Sequence, residues 1–372
     1  MQPIQLLDLQ GELALYRTEV LAAITRVIDS QNFIMGPEVE ALEAELGAFV
    51  GLPPAVGVSS GTDALLVALM ALGIGPGDEV LTSPFTFFAT AGTVARLGAK
   101  PIFADIDPGT FNLTEAGVRG GLTPNTRAII PVHLFGQLAD LGDFVGEKGR
   151  PPIIEDAAQA FGATLHGRHT GHFGEVSTLS FFPSKNLGGF GDGGAVLTGD
   201  AALRERMSVL RLHGSKPKYL HHYVGGNFRL DALQAAALRV KLPLLNDFAA
   251  RRQANAARYD GLFEEAGLVA RGLVTPPARL PAAGHVYNQY VIRTTKRDGL
   301  ARHLAEGGIG TAVYYPRPLH LQPCFAHLGH APGDFPEAER ACAEVLALPV
   351  HPLLTPEEAV RVVQSIAAFH GI

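Results

Sequence analysis

What most restricts this chain is an alternation. Between Ala55 and Gly199, seven short runs rich in β-branched and other apolar residues (AVGVSS, EVLTSP, KPIFADID, RAIIPVHL, PIIEDA, STLSFF, GAVLTG) are separated by longer stretches, several with helical periodicity. Strands that alternate with helices build parallel sheets whose crossovers cover the faces. Strands buried on both faces read as near-continuous apolar runs rather than as strict alternations, and several of the seven have that character. The sequence therefore predicts an α/β fold with a mostly parallel, seven-stranded, doubly wound sheet. Helices are predicted over Thr62–Leu72, Thr86–Leu97, Asp200–Leu212 and Leu230–Leu245. The first of these, TDALLVALMAL, is apolar on nearly every side and should be buried.

The pattern changes after Leu245. Asn246–Ala266 is a charged, Arg- and Ala-rich helical stretch, followed by the loop PPARLPAAG and a new strand, YNQYVIRT. Arg297–Ala305 reads as a helix and TAVYY as a strand. Thr355-Pro356-Glu357-Glu358 reads as a capping box with proline at the first helical position, opening a terminal helix to about His370. A large domain over 1–245 and a smaller α+β domain over 246–372 follow, and 372 residues suit two domains of roughly 150 each.

Composition removes several classes of function. The chain is 47% hydrophobic and 18% charged, outside the disordered regime. Its net charge of −6 repels nucleic acid and anionic lipid. The two cysteines, Cys324 and Cys342, form no CxxC or Cys/His ladder, which suits a reducing compartment and makes the cytoplasm the expected location. The start, MQPIQLLDLQGELAL, lacks a basic segment leading into an apolar run, and charge, Gly or Pro interrupts every apolar stretch before about 18 residues, so neither a signal peptide nor a membrane span is expected.

Chemistry concentrates in three places. Ser59-Ser60-Gly61-Thr62-Asp63 carries a strand end into a helix start, where free backbone N–H groups and the helix dipole favour an anion such as phosphate, although the same residues also make an ordinary N-cap. No GxxxxGK[ST] or GxGxxG pattern accompanies it. Ile153-Ile154-Glu155-Asp156-Ala157-Ala158-Gln159 ends an apolar strand in carboxylates at the sheet edge where open α/β folds bind ligands. An acid there suits a metal, a ribose or a protonated ring nitrogen, or is simply solvated. Ser180–Gly194, SFFPSKNLGGFGDGG, sets Lys185 between an aromatic strand and five glycines, where desolvation would lower its pKa and make it nucleophilic. His213, His221 and His222 lack the spacing of a metal site, and His133 reads as a structural histidine.

A phosphate-holding helix start, a strand-end acid and a glycine-flanked lysine, in that order, are the parts that pyridoxal phosphate requires. With SSGTDAL, PFTFFAT, ADIDPGTFNL, PVHLFG, IIEDAAQAFGA, SFFPSKNLGGFGDGGA, GGNFRLDALQAA and YYPRPLHLQP, the chain resembles, nearly end to end, the DegT/DnrJ/EryC1/StrS family of sugar aminotransferases, which have the aspartate-aminotransferase fold. The resemblance implies pyridoxal 5'-phosphate as cofactor, joined covalently to Lys185, with Asp156 on the pyridine nitrogen and Gln159 on the ring hydroxyl. It implies ring stacking by Phe87, or by Phe85 or Phe88, because the proline of the family pattern is displaced in Ser83-Pro84-Phe85-Thr86-Phe87. Phosphate would be held by Gly61, Thr62 and Ser180, and by Asn227 of a second subunit, so that the active site belongs to a homodimer.

On the substrate side the resemblance brings Arg229, Tyr314, Tyr315 and His320 toward the sugar or its diphosphate, though Arg229 could equally pair with Asp231. The implied reaction moves an amino group from L-glutamate to the keto carbon of a nucleotide-linked keto-sugar, in amino-sugar biosynthesis for a surface polysaccharide or a secondary metabolite. Asp192, in Gly-Asp-Gly-Gly, resembles members acting on 3-keto rather than 4-keto sugars. A keto-cyclitol substrate is an alternative, as is a cofactor-binding sensor or regulator without turnover. A dehydratase or deoxygenase of the same fold would carry histidine where Lys185 stands.

Overall fold

The computed structural model describes residues 2–372. Seven strands form its centre: β1 (Val56–Val58), β2 (Glu79–Thr82), β3 (Lys100–Phe103), β4 (Thr126–Ile130), β5 (Ile154–Asp156), β6 (Val176–Ser180) and β7 (Gly194–Leu197). Each of the seven runs between Ala55 and Gly199 supplies one. β3-β2-β4 and β5-β6-β7-β1 are continuous ladders, and the parallel bridges Ile129–Ile153 and Val132–Asp156 join them into the order β3-β2-β4-β5-β6-β7-β1. β7 alone runs antiparallel, pairing with β6 on one side and β1 on the other.

Helices cover both faces, as the apolar runs require. α1 (Leu9–Ser30), α2 (Pro37–Val50) and α7 (Ala232–Lys241) share one core with Leu179, Ala195 and Leu197 of the sheet. On the other face α3 (Gly61–Ala71), α4 (Ala89–Arg96) and α6 (Ala201–Leu210) pack on Val176 and Val196, while α5 (Glu115–Gly121) lies between β3 and β4 in the chain. Alternate residues of β6 and β7 thus enter opposite cores, as the period of two dictates. α3 starts where expected: Ser60 Oγ accepts from Asp63 N at 3.0 Å, and seven of its residues are buried.

A second core surrounds the antiparallel pair β8 (Tyr290–Arg293) and β9 (Val345–Leu348), flanked by α9 (Arg297–Glu306), α10 (Pro336–Glu344) and α11 (Pro356–His370). It buries Tyr259, Phe263, Tyr290 and Ile292, and it draws in Ile4 from the other end of the chain. α8 (Leu245–Glu265) reaches from Leu245 in the first core to Phe263 in the second. The Thr355 capping box closes as expected: its hydroxyl accepts from Glu358 N, and the Glu358 carboxylate accepts from Thr355 N.

Two local expectations are corrected. TAVYY makes one bridge, Ala312 to Ala347, and no strand. The helix after β2 begins at Ala89 instead of Thr86, because Ser83 Oγ accepts from Phe85 N at 3.0 Å and holds a turn there. α1, α2 and α10 carry no sequence expectation. Among the described residues no helix is long and apolar enough to cross a membrane.

Candidate active site

A cavity of about 610 Å³ opens at the carboxyl edge of the sheet. Gly61, Thr62, Phe87, Asp156, Gln159, Ser180, Lys185, Asp192, Tyr314 and Tyr315 all line it, so segments up to 250 residues apart meet where the sequence reading places its chemistry. Lys185 is the one basic side chain in this wall.

Asp156 ends β5 and is 5% exposed. Its Oδ2 accepts from the Thr90 hydroxyl of α4 at 2.8 Å and its Oδ1 from Ala158 N at 3.3 Å. Burial pushes its carboxyl above the usual range against these hydrogen bonds and against the nearby Lys185. Lys185 lies in the β6–β7 connection, a tight loop closed by Lys185 N to Phe182 O at 2.9 Å and Gly189 N to Phe181 O at 2.7 Å. Gly188 permits this closure, since a Cβ there would sit 2.3 Å from the Pro183 carbonyl oxygen. Burial pushes the Lys185 amine down to about 8, with Asp156 pulling the other way. Both charges are thus uncomfortable in the bare pocket. A cationic heterocycle beside Asp156 and an electrophilic carbon at Lys185 would relieve them.

Gln159 is fixed by its carbonyl end. Oε1 accepts from Phe135 N at 2.7 Å, which leaves Nε2 to donate to the Tyr315 hydroxyl at 3.0 Å. Burial raises the Tyr315 phenol well above its ordinary value, so it stays protonated. Next to Asp156, Glu155 turns away from the cavity. It is fully buried, and burial alone would raise it, but the hydrogen bond from His133 at 2.9 Å and the N–H groups of Gly171, Phe173 and Gly174 hold it below the usual range. His133 Nδ1 accepts from Ala139 N at 3.0 Å, so the proton sits on Nε2 and the histidine is structural.

At the opposite end of the cavity, the start of α3 meets the end of β6. A Cβ at Gly61 would lie 2.6 Å from the Ser180 Cβ, so only glycine lets the first turn of α3 and the Ser180 hydroxyl converge. Free N–H groups and a hydroxyl around one point make an anion cradle. An anion cradle, a buried carboxylate and a depressed lysine along one cavity fit pyridoxal 5'-phosphate.

The three aromatic alternatives separate. Phe85 is fully buried among Phe111, Phe135 and Tyr315, and Phe88 stacks on Phe325 at 5.6 Å. Phe87 alone of the three lines the cavity.

Three expected residues stay outside it. Asn227 is exposed, its backbone bridged to Leu212. Arg229 bridges Val58 through its backbone, and its Nε is buried without a hydrogen-bond partner among the described residues. His320 is 1% exposed and bonds Glu339 at 3.1 Å, packed on Phe335. His221 and His222 bond backbone carbonyls of their own loop. The sequence reading missed Thr90, which orients Asp156, and Ser184 and Gln289 in the cavity wall. Ser184 adjoins Lys185 and was within reach of a local reading, whereas no local signal marks Thr90 or Gln289.

A mixed sheet with one reversed strand, and a lysine on the loop entering that strand facing a strand-end aspartate, define a transferase of the pyridoxal-phosphate class. The chain belongs to the DegT/DnrJ/EryC1/StrS aminotransferase family, whose model matches residues 15–367. A "pleiotropic regulatory protein" of Geobacillus stearothermophilus is 48% identical over 99% of this chain and 98% of its own length. A UDP-N-acetyl-3-dehydro-alpha-D-glucosamine 3-aminotransferase of Acidithiobacillus ferrooxidans is 43% identical over 99% and 98%. The crystal structure of S. venezuelae DesV in complex with a ketimine intermediate superposes with a TM-score of 0.93, at 42% identity, covering 99% of this chain and 98% of that one.

Proposed function

We propose that this chain transfers an amino group from L-glutamate to the keto carbon of a nucleotide-linked keto-sugar, with a 3-keto sugar favoured over a 4-keto sugar, using pyridoxal 5'-phosphate. The observation that carries the reading is the pairing of Lys185, pushed down to about 8, with the buried Asp156 along a cavity that ends in the Gly61–Ser180 anion cradle. The named activity of the Acidithiobacillus ferrooxidans relative supports the 3-keto preference.

The bound cofactor supplies an electron-accepting ring that lets an amino group leave one carbon and join another. The protein supplies the rest. Asp156, oriented by Thr90, holds a proton on the ring nitrogen. Lys185 would bind the cofactor, and its Nζ would hold or move a proton during the transfer. Gln159 would meet the ring hydroxyl, Phe87 would stack on the ring, and Gly61, Thr62 and Ser180 would hold the phosphate. Arg229, Tyr314, Tyr315 and His320 are proposed for the substrate side.

The proposed assembly is a cytoplasmic homodimer in which Asn227 completes the partner's phosphate site. Asn227 is exposed on a protruding connection where Val224 is 92% exposed, which suits a segment that reaches another subunit. The division into domains 1–245 and 246–372 is proposed with it.

The test is spectroscopic. L-Glutamate should discharge the yellow colour of the purified protein, and a UDP- or dTDP-linked 3-keto sugar should restore it. A protein that keeps its colour with glutamate, glutamine and aspartate would instead follow the second reading, a cofactor-binding regulator, which the name of the Geobacillus stearothermophilus relative suggests. Mixing Lys185→Ala and Asn227→Ala chains tests the shared site, since hybrid dimers should recover part of the activity that both parents lack.

A further inference from the structure

Beyond Ser184 and Gln289 the cavity continues into a crevice with about 10 Å³ of space, lined by Leu6, Leu7, Ser184, Asn288, Gln289 and Tyr314 among others. Ser184, Gln289 and Tyr314 belong to both walls. The volume holds about one water-sized group. Asn288 is 2% exposed, and both its Oδ1 and its Nδ2 lack a partner; Gln289 Oε1 lacks one too. Buried polar groups are almost always paired, so a carboxamide with two orphaned atoms beside a third points to an occupant that both donates and accepts. No charged side chain lines the crevice, and Leu6, Leu7, Leu348 and Val350 close its apolar side. An ion there would be uncompensated, and a carboxylate is too large for one water-sized space. A hydroxyl matches on size, charge and bonding.

We infer that Asn288 and Gln289 form a recognition point for one hydroxyl group of the sugar, so that the enzyme rejects substrates deoxygenated at that position. The inference rests on the keto-sugar reading and deepens it. A site built to bond a hydroxyl discriminates strongly, because the analogue without it leaves the protein's own polar atoms unpaired.

The test runs the holoenzyme in reverse, with 2-oxoglutarate and three UDP-linked 3-amino sugars: one with its hydroxyls intact, its 4-deoxy counterpart and its 6-deoxy counterpart. Calorimetric Kd values for the same three sugars give a second readout. One deoxy sugar is expected to lose about 10- to 100-fold in kcat/KM and in affinity. In Asn288→Leu that ratio should fall toward one, with the loss borne by the hydroxylated sugar. Treatment of all three sugars within about threefold by the wild type, as a crevice holding only a structural water would give, overturns the inference. So does a preference for the deoxy sugars, or an Asn288→Leu protein that keeps the wild-type ratio. If Asn288→Leu does not fold, the wild-type comparison decides alone. Discharge of colour by glutamate reads on transamination only: its failure removes the parent reading, whereas its success without discrimination removes this inference alone.

Discussion

The cavity wall that carries Gly61, Asp156, Ser180 and Lys185 and the wall that carries Gln289, Tyr314 and Tyr315 hold their polar groups differently. The first is made of strand ends and a helix start of one sheet, and Asp156 is bonded on both oxygens before any ligand arrives. The second comes from the part of the chain built around β8 and β9, and it borders the unpaired amide of Asn288 and the unpaired Oε1 of Gln289. A prepaid network suits a resident group that never leaves, while unpaired atoms suit a visitor whose own groups complete the bonding.

The largest expected effect falls on the first wall. Lys185→Ala should lower amino transfer by about 10⁴-fold, the upper end of what a lost proton carrier costs, and abolish borohydride-fixed cofactor on the peptide containing position 185; substantial residual turnover would break the assignment. Asp156→Asn should cost about 10²- to 10³-fold in kcat with little change in fold, and Thr90→Val, which removes only the orienting bond, about tenfold. If Thr90→Val equals Asp156→Asn, orientation rather than charge is what the carboxylate contributes. Gly61→Ala should raise the cofactor Kd about 10- to 100-fold, read by equilibrium dialysis, because its methyl group meets Ser180.

A subtler comparison concerns protons. In cofactor-free protein, labelling of Lys185 by an amine-directed reagent should rise with pH to a midpoint near 8, not the ordinary 10.5. The folded value lies below the unfolded one, so the folded state binds fewer protons between them and this lysine's contribution to stability increases as pH climbs from about 8 to 10.5. The smallest effect belongs far from the cavity: Thr355→Ala removes the capping box of α11 and should cost about 1 kcal/mol by thermal denaturation without changing amino transfer.

The first wall was legible in the sequence because its signals are local. Asp156 follows its apolar strand directly, Lys185 sits inside its own glycine run, and Gly61 opens the helix that its neighbours predict. Most of the seven strands were legible for a related reason: burial on both faces forces apolar runs whatever the neighbours are, although the edge strand β3 leaves Lys100 exposed. Pairings across the chain were not. Thr90 lies 66 residues from the carboxylate it orients, and Asn288 and Gln289 read as ordinary polar positions at the entry to YNQYVIRT. α1 escaped notice although Tyr16, Val20, Ala23 and Val27 keep a helical spacing, because the exposed Leu15, Leu21 and Ile28 blur its buried stripe. TAVYY misled in the other direction, since β-branched and aromatic residues describe a pleated surface only where a partner strand is present.

The reversed strand β7 has an effect on what the fold can tolerate. Because it returns alongside β6, the segment bearing Lys185 begins and ends at the same rim of the sheet and contains no helix. In the β1–β2, β2–β3 and β3–β4 crossovers, α3, α4 and α5 can absorb an added or deleted residue by fraying a turn. Here any change of length is delivered straight to the amine, so this connection has less freedom to drift than those three crossovers.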